Sequence, residues 1–267
     1  MTSRATWMAL MVAGMAAANS VQAQDSCPST NNNLWFSNQS TPSTPVDLED
    51  GADYRIYLGK AVGTFRGDFL NAVIIRNGVC LGGHYLNQPA VGGAAGGPVE
   101  ELVDDATLCL GSGDDYVEVL RTPYDPCGNF ELQPFDYGNF SLTIVGGAGS
   151  DTLIGADGQD FLMGGSGSDW MTGVSGAGDY LAGGDGGDWL EGSSGNNTTS
   201  VGGPGNDFLF DHGGTGDRIL GGDGDDYISA GCTDAFVHCG GGGGDVAEFD
   251  GFPWSWLGCE TTVGPTC

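Results

Sequence analysis

The sequence predicts an all-β fold in which short parallel strands stack into a β-helix solenoid with disulfide-stabilised ends. Three observations predict this fold. An apolar residue recurs every nine or ten positions between residues 146 and 248. Glycine contributes 51 of the 267 residues without a three-residue period, far above its usual share of about 7%, which indicates tight turns rather than collagen. Eight cysteines lie in two groups of four, before residue 128 and after residue 231.

The charge of the chain excludes several classes of partner. Asp and Glu number 35 and Lys and Arg number 7, which gives a net charge of −28. A nucleic-acid-binding protein needs a basic face, and an anionic membrane surface attracts basic segments. We therefore expect neither as a partner. Hydrophobic residues make up 39% of the chain and aromatic residues 10%, which is too much for a disordered acidic tail.

Residues 1–23 have the pattern of a secretory signal peptide. Arg4 provides a positive start, residues 7–18 are apolar but too short to span a bilayer, and residues 21–23 fit a small-x-small cleavage site. We expect a secreted, extracellular protein, located in a bacterial envelope or outside it. A buried N-terminal helix is the alternative interpretation of this segment. No later segment is long and apolar enough to predict a membrane span.

The cysteines indicate disulfides in an oxidising compartment. The candidates are Cys27, Cys80, Cys109, Cys127, Cys232, Cys239, Cys259 and Cys267. Eight cysteines allow 105 pairings, so the connectivity stays open, although the grouping suggests two pairs in each group. A zinc site is less favoured, because there is no C-x-x-C and the three histidines are scattered.

Residues 146–248 contain eleven phased copies of the pattern Gly-Gly-x-Gly-x-Asp-x-U-x, in which U is apolar. The residues at U are Leu153, Leu162, Met171, Leu181, Leu190, Thr199, Leu209, Ile219, Ile228, Val237 and Ala247. Only Thr199, in the degenerate unit 192–200, is polar. Chance would rarely produce such regularity.

Each unit combines a turn with a short strand. Six glycine-rich residues can turn tightly, and the next three form a strand whose middle side chain points inward. Two units make one coil of a parallel β-helix, and stacked coils bury a continuous column of U residues. So thin a column cannot offset the backbone entropy of many glycines, and it also stacks like charges. A hard divalent cation bound by Asp oxygens and turn carbonyls solves both problems.

This region resembles the glycine-rich calcium-binding nonapeptide repeats of repeats-in-toxin (hemolysin-type) proteins. The stretch from Asp151 to Asp169 matches the signature of that family, with Asp160, Leu153 and Leu162 at the expected spacings. The resemblance implies a parallel β-roll in which Ca²⁺ lies between successive turns. The sixth-position aspartates and turn carbonyls would be its ligands.

The candidate calcium ligands fall into two rows, because alternate units lie on the same side of the solenoid. The first row contains Asp151, Asp169, Asp188, Asp207, Asp226 and Asp245, without a gap. The second row contains Asp160, Asp179, Asn197, Asp217 and Ala235, with two gaps. Third-position residues that could add oxygens are Asp157, Asp185 and Asp223. We expect calcium to fill the first row more completely than the second.

Aromatic residues precede U in six units: Phe161, Trp170, Tyr180, Trp189, Phe208 and Tyr227. Strand alternation points them away from the core column. They either stack on one another or lie under the N-terminal segment, or they form an exposed ladder that binds a glycan or a cell-surface partner.

The region before the repeats, residues 24–145, is expected to be rich in β-structure. Strands are predicted at 54–58 and 72–76. Residues 110–118 match the repeat, with Asp115 in the sixth position and Val117 at U. The region therefore contains either degenerate β-helix coils or an unrelated small β domain.

Residues 249–267 are expected to form a disulfide cap. Phe252, Trp254 and Trp256 would cover the open end of the column. The glycine-rich last coil, closed by Cys239 and the Cys259-Glu pair, resembles that of secreted bacterial relatives of the repeats. The resemblance implies a Cys239–Cys259 bridge.

No catalytic site is predicted. The sequence contains no H-E-x-x-H, no G-x-S-x-G and no phosphate-binding loop. We expect a secreted calcium-binding protein whose repeats fold on binding Ca²⁺, not an enzyme. A cell-surface adhesion or carbohydrate-binding module with structural calcium is the alternative.

Overall fold

The computed structural model describes residues 32–37, 46–48, 51–61, 69–85, 105–128, 132–134, 140–231, 235–249 and 255–263. These ranges form 22 β-strands and no helix. None of the described residues therefore forms a helix that could cross a membrane. The prediction of an all-β solenoid is confirmed. The signal-like segment 1–23 lies outside the described residues.

Two sheets enclose one core. The ten-stranded sheet has the order β2 (Val46–Leu48), β1 (Asn32–Ser37), β6 (Asp105–Ser112), β9 (Ser141–Ala148), β11 (Phe161–Ser166), β13 (Tyr180–Asp185), β15 (Thr199–Pro204), β17 (Arg218–Asp223), β19 (Phe236–Gly241) and β21 (Ser255–Leu257). The twelve-stranded sheet has the order β22 (Thr261–Val263), β20 (Val246–Phe249), β18 (Tyr227–Ala230), β16 (Phe208–Phe210), β14 (Trp189–Glu191), β12 (Trp170–Thr172), β10 (Thr152–Ile154), β7 (Tyr116–Val119), β3 (Tyr54–Ala61), β4 (Phe69–Arg76) and β5 (Val79–Tyr85), with β8 (Leu132–Gln133) beside β3.

The stacking of the coils follows from the length of the repeat. From β9 onward the chain alternates between the two sheets, and neighbouring strands in each sheet are parallel. Leu153 pairs with Met171, two nine-residue units later. Leu162 pairs with Leu181, one nine-residue and one ten-residue unit later. Two units therefore make one coil.

The core is the column of U residues from both sheets. The ten apolar residues predicted at U are at most 2% exposed. The prediction for the degenerate unit is wrong by one position. Ser200, not Thr199, pairs with Leu181 and points inward, and it is 3% exposed. The reason is that the turn contains one extra residue. Asn197, at a φ of 61°, takes a left-handed conformation, and the turn accommodates the extra residue in this way.

The solenoid continues on the N-terminal side of residue 146. β6 pairs in parallel with β9, and β7 pairs in parallel with β10, so that Val117 aligns with Leu153. β3 adds to β7 in parallel, whereas β4 and β5 follow it in antiparallel order. The larger hydrophobic cluster extends from Ala52 to Phe249, and a smaller one contains Tyr57, Val73, Leu120 and Leu132.

Two disulfides join elements near the two ends of the sheets. Cys239–Cys259, the bridge implied by the resemblance, has its Cα atoms 5.1 Å apart. Cys80–Cys127 connects the edge strand β5 to the loop after β7, with its Cα atoms 5.9 Å apart. Cys109 is also disulfide-bonded. Outside the described residues lie Cys27, Cys232, Cys267, Phe252, Trp254 and the side chain of Trp256.

The close approach of successive coils requires glycine at the second position of the first-row units. Gly184 has a φ of 111°, and its position shows why. A Cβ there would overlap the carbonyl oxygen of Gly165 and lie 2.8 Å from its carbonyl carbon. Any side chain at this position would strain the backbone and push the coils apart.

We expect Gly184→Ala to lower the free energy of unfolding by about 2 kcal/mol or more, through backbone strain and overpacking. Urea unfolding in calcium, followed by circular dichroism, measures the loss. The control is Gly243→Ala, because Gly243 does not have a positive φ and a Cβ there would meet no atom of the described residues within 4 Å. Equal losses in the two variants would contradict this account.

Candidate metal centre

The sixth-position aspartates line the interior of the turns. Each precedes the first residue of a strand, so its side chain lies on the same face as the U residue two positions later. All nine are at most 3% exposed: Asp151, Asp160, Asp169, Asp179, Asp188, Asp207, Asp217, Asp226 and Asp245. The fold therefore buries carboxylates together with the apolar column.

The first row forms an unbroken ladder of hydrogen bonds. The amide of Asp151 donates to Oδ1 of Asp169 at 2.8 Å, and the amide of Asp169 donates to Oδ1 of Asp188 at 2.9 Å. The same contact continues through Asp207, Asp226 and Asp245. Each carboxylate thus connects its own coil to the preceding one.

The ladder extends beyond the repeats at both ends. Asp115, 2% exposed, accepts from the amide of Tyr54 at 2.7 Å, and its own amide donates to Asp151 Oδ1. At the other end, Glu260 Oε2 accepts from the amide of Asp245 at 3.1 Å. The repeat pattern indicates Asp115, but Glu260 follows no complete unit and sequence reasoning missed its role.

Most sixth-position aspartates, and also Asp115 and Asp211, have a second carboxylate oxygen with no hydrogen-bond partner among the described residues. Such buried Oδ2 atoms belong to Asp115, Asp151, Asp169, Asp179, Asp188, Asp207, Asp211, Asp217, Asp226 and Asp245. A buried carboxylate oxygen without a donor is costly. Burial and the missing donor together favour a bound cation beside each row.

The first glycine of each unit leaves room beside this oxygen. A Cβ on Gly164 would overlap Asp169 Oδ2 and lie 2.7 Å from the carbonyl oxygen of Gly183 in the next coil. The same arrangement recurs at Gly146 and Gly202. A carboxylate oxygen and a carbonyl oxygen of consecutive coils therefore face the same small space.

These oxygens fit calcium. Calcium takes six to eight oxygen ligands, from carboxylates and from main-chain carbonyls, in a flexible geometry. Among the described residues, no three His, Cys, Asp or Glu side chains converge on one point. Main-chain carbonyls, such as that of Gly183, must therefore complete the ligand sphere that Asp169 begins.

The second row is interrupted. Asp160 has both oxygens satisfied, by the amides of Leu142 and Ala156, each at 2.7 Å. Thr198, not Asn197, takes the sixth position of the degenerate unit, because the inserted residue moves the register by one. Ala235 takes the sixth position of a later unit and is fully buried.

The third-position aspartates lie apart from the buried rows. Asp157 Oδ1 accepts from Arg121 Nη2 at 2.8 Å and from Ser175 Oγ at 2.6 Å. Burial acts to raise the pKa of Asp157, but these hydrogen bonds outweigh it and lower the pKa. Asp185 and Asp223 are exposed at the ends of β13 and β17.

Burial makes the sixth-position carboxyl groups weaker acids. It raises the pKa to about 6 at Asp115, Asp217 and Asp226, to about 7 at Asp151, Asp169 and Asp207, and to about 8 at Asp160. The charges of neighbouring aspartates add to this: Asp151 and Asp188 raise the pKa of Asp169 further. Without a cation, these carboxyl groups therefore bind protons at a higher pH than an ordinary aspartate does.

The raised pKa values predict how the metal-free fold depends on pH. Between about pH 4 and pH 7 the folded chain binds more protons than the unfolded chain, so its stability falls as the pH rises. We expect the urea midpoint in chelator to be lower at about pH 8 than at about pH 5. Calcium, which competes with protons for the same oxygens, should restore the midpoint at about pH 8.

Urea titrations in buffers of equal ionic strength measure this effect. A metal-free midpoint that rises with pH would show that the carboxylates are stabilised by charge in the absence of calcium. That result would contradict the burial of unpartnered oxygens.

Comparison with known families agrees with the geometry. A family model described as RTX calcium-binding nonapeptide repeat (4 copies) matches residues 143–171, 174–209 and 212–231. No curated protein and no solved structure matches the chain. The matched segments contain the strands β10 to β18 and most of the buried aspartates. The central coils of this protein therefore match the model of RTX calcium-binding nonapeptide repeats.

Proposed function

We propose that this protein is a secreted calcium-binding β-roll whose repeats fold when Ca²⁺ binds between the turns. The observation that carries the proposal is the set of buried, unpartnered Oδ2 atoms in the first row. Calcium provides each of them with a positive partner and removes the repulsion between successive aspartates. The proposed role is non-catalytic.

An extracellular location is supported by two features. Residues 1–23 have the pattern of a secretory signal, and the disulfides Cys80–Cys127 and Cys239–Cys259 suit an oxidising compartment. Extracellular calcium modules typically bind with dissociation constants of about 10⁻⁴ to 10⁻³ M. With affinities in this range, the coils would stay unfolded in a calcium-poor cytoplasm and would fold outside it.

Removal of calcium should abolish most of the β-type circular dichroism of the disulfide-intact protein. The physical reason is that the unfilled rows contain buried like charges without partners. Circular dichroism during a calcium titration from chelator measures the change. Identical spectra with and without calcium would overturn the proposal.

The same experiment separates the two rows through a matched pair of variants. Asp188→Asn removes a carboxylate whose Oδ2 has no partner among the described residues, whereas Asp160→Asn removes one whose oxygens are both satisfied. We expect native mass spectrometry to detect fewer bound calcium ions in Asp188→Asn and an unchanged number in Asp160→Asn. Equal losses would contradict fuller occupancy of the first row.

An exposed aromatic ladder favours a second role as a glycan-binding module with structural calcium. Trp170, Trp189 and Phe208 are 43%, 40% and 45% exposed, and they occupy successive strands of the twelve-stranded sheet. Trp189 stacks on Phe208 with ring centroids 5.5 Å apart. The Trp189 Nε1–H donates to Glu191 Oε1 at 3.0 Å. Flat rings with carboxylate acceptors beside them suit the apolar faces and hydroxyl groups of sugars.

A glycan array probed with the calcium-loaded protein tests this second role. We expect the double variant Trp170→Ala/Trp189→Ala to lose glycan binding while it keeps its calcium-dependent circular dichroism. The control is Phe161→Ala, because Phe161 stacks on Tyr180 in the other sheet and is half-buried. No binding by the wild type, or binding that survives the double change, would eliminate the glycan role.

A further inference from the structure

One departure from the repeat adds a carboxylate instead of removing one. The unit 211–220 begins with Asp211, where the three preceding units of the second row begin with glycine. Hydrogen bonds between coils establish the equivalence. The amide of Gly192 donates to the carbonyl oxygen of Phe210, directly before Asp211. The amide of Asp211 in turn donates to the carbonyl oxygen of Ser229 at 2.9 Å.

The length of the unit provides room for this side chain. In the nine-residue unit that starts at Gly155, a Cβ would overlap Asp160 Oδ2. In the ten-residue unit that starts at Gly173, a Cβ would lie 2.9 Å from Asp179 Oδ2. The extra residue thus moves the sixth-position carboxylate away from the first position. The unit of Asp211 also has ten residues, so a side chain fits there.

Asp211 and Asp217 both present a buried, unpartnered oxygen. Asp211 Oδ1 accepts from the amide of Gly213 at 3.2 Å, and its Oδ2 has no hydrogen-bond partner among the described residues. Asp217 is 1% exposed, its Oδ1 accepts from the amide of Thr198 at 2.8 Å, and its Oδ2 is likewise without a partner there. A Cβ on Gly214 would lie 2.9 Å from Asp217 Oδ2. Gly214 directly follows Gly213, whose amide donates to Asp211 Oδ1, so the two carboxylates border the same turn.

The neighbours of Asp217 explain why a second carboxylate is needed. In the first row, Asp188 has an aspartate in the coil before it and another in the coil after it. Asp217 has Thr198 before it and Ala235 after it, and neither contributes a charge. The hydroxyl group of Thr198 instead makes a buried hydrogen bond with that of Ser193, with 2.8 Å between the two Oγ atoms.

We propose that Asp211 and Asp217 form a two-carboxylate calcium site within a single unit of the second row. Their two negative charges balance one Ca²⁺ where the row itself provides only one. This inference rests on the proposed function, because it requires that the coils bind calcium. It assigns to Asp211 a ligand role at a position that is glycine in the three preceding units of this row.

The test counts calcium ions and measures their affinities on the disulfide-intact, full-length chain. Asp211→Asn keeps an acceptor for the Gly213 amide but loses the charge, and Asp211→Gly introduces the residue found at the start of the three preceding second-row units. We expect native mass spectrometry to detect one calcium fewer in both variants, or calorimetry to show one site weakened at least tenfold.

The matched control is Asp225→Asn. Asp225 is exposed in the neighbouring coil, and its amide donates to Oδ1 of Asn206, which holds the equivalent position one coil earlier. Asparagine is therefore compatible with this position of the repeat, and the number of bound calcium ions should not change in Asp225→Asn.

Two results would overturn the inference. One is an unchanged number and affinity of calcium ions in both Asp211 variants. The other is the same unchanged number and affinity together with a lower unfolding temperature in calcium, which would make Asp211 a structural residue only. Failure of the proposed function is distinguishable from both, because the wild type itself would then bind no calcium.

Discussion

The structure depends on how each first-row aspartate uses its two carboxylate oxygens. Oδ1 accepts the amide of the preceding aspartate, an amide that lies in a turn and is buried. Oδ2 is then left in the interior without a donor among the described residues. Each such atom costs about 1–3 kcal/mol, and the first row alone contains six of them. Their sum is comparable with the whole stability of a typical domain, about 5–15 kcal/mol. The hydrogen bonds that connect the coils thus create the need for a cation.

Glycine and aspartate are two parts of one arrangement. The first glycine leaves the space in which Asp169 Oδ2 meets the carbonyl oxygen of the next coil, and the second glycine lets the backbones approach closely enough to place it there. A larger residue at either position would separate the oxygens that a calcium ion has to bridge. The composition of the chain, rich in glycine and acid and poor in cations, follows from this geometry.

Much of this arrangement could be predicted from the sequence, because a strict period constrains both faces of a strand. The column through Leu153 and Met171 and the unbroken first row are direct consequences of that period.

The errors lie where the period fails. In the degenerate unit, serine and threonine hide the apolar signal, so the position of the inserted residue could not be read and Ser200 was missed. Asp211 was hidden for a related reason, since a unit with one extra residue does not show which of its residues replaces the first glycine. Glu260 caps the ladder through a contact that no local pattern encodes.

The disulfides determine where the solenoid can begin to open. A stack of coils ordinarily frays from its ends, because an end coil has only one neighbour. Here Cys80 lies on the edge strand β5, and Cys259 lies two residues before the edge strand β22, each covalently bound to a residue further inside. Fraying is therefore restrained at both edges of the twelve-stranded sheet. The least connected coils become the interior ones, where Thr198 and Ala235 interrupt the second row. A fall in calcium concentration would therefore open the interior coils of this protein first, while the disulfide-bonded edges stay closed.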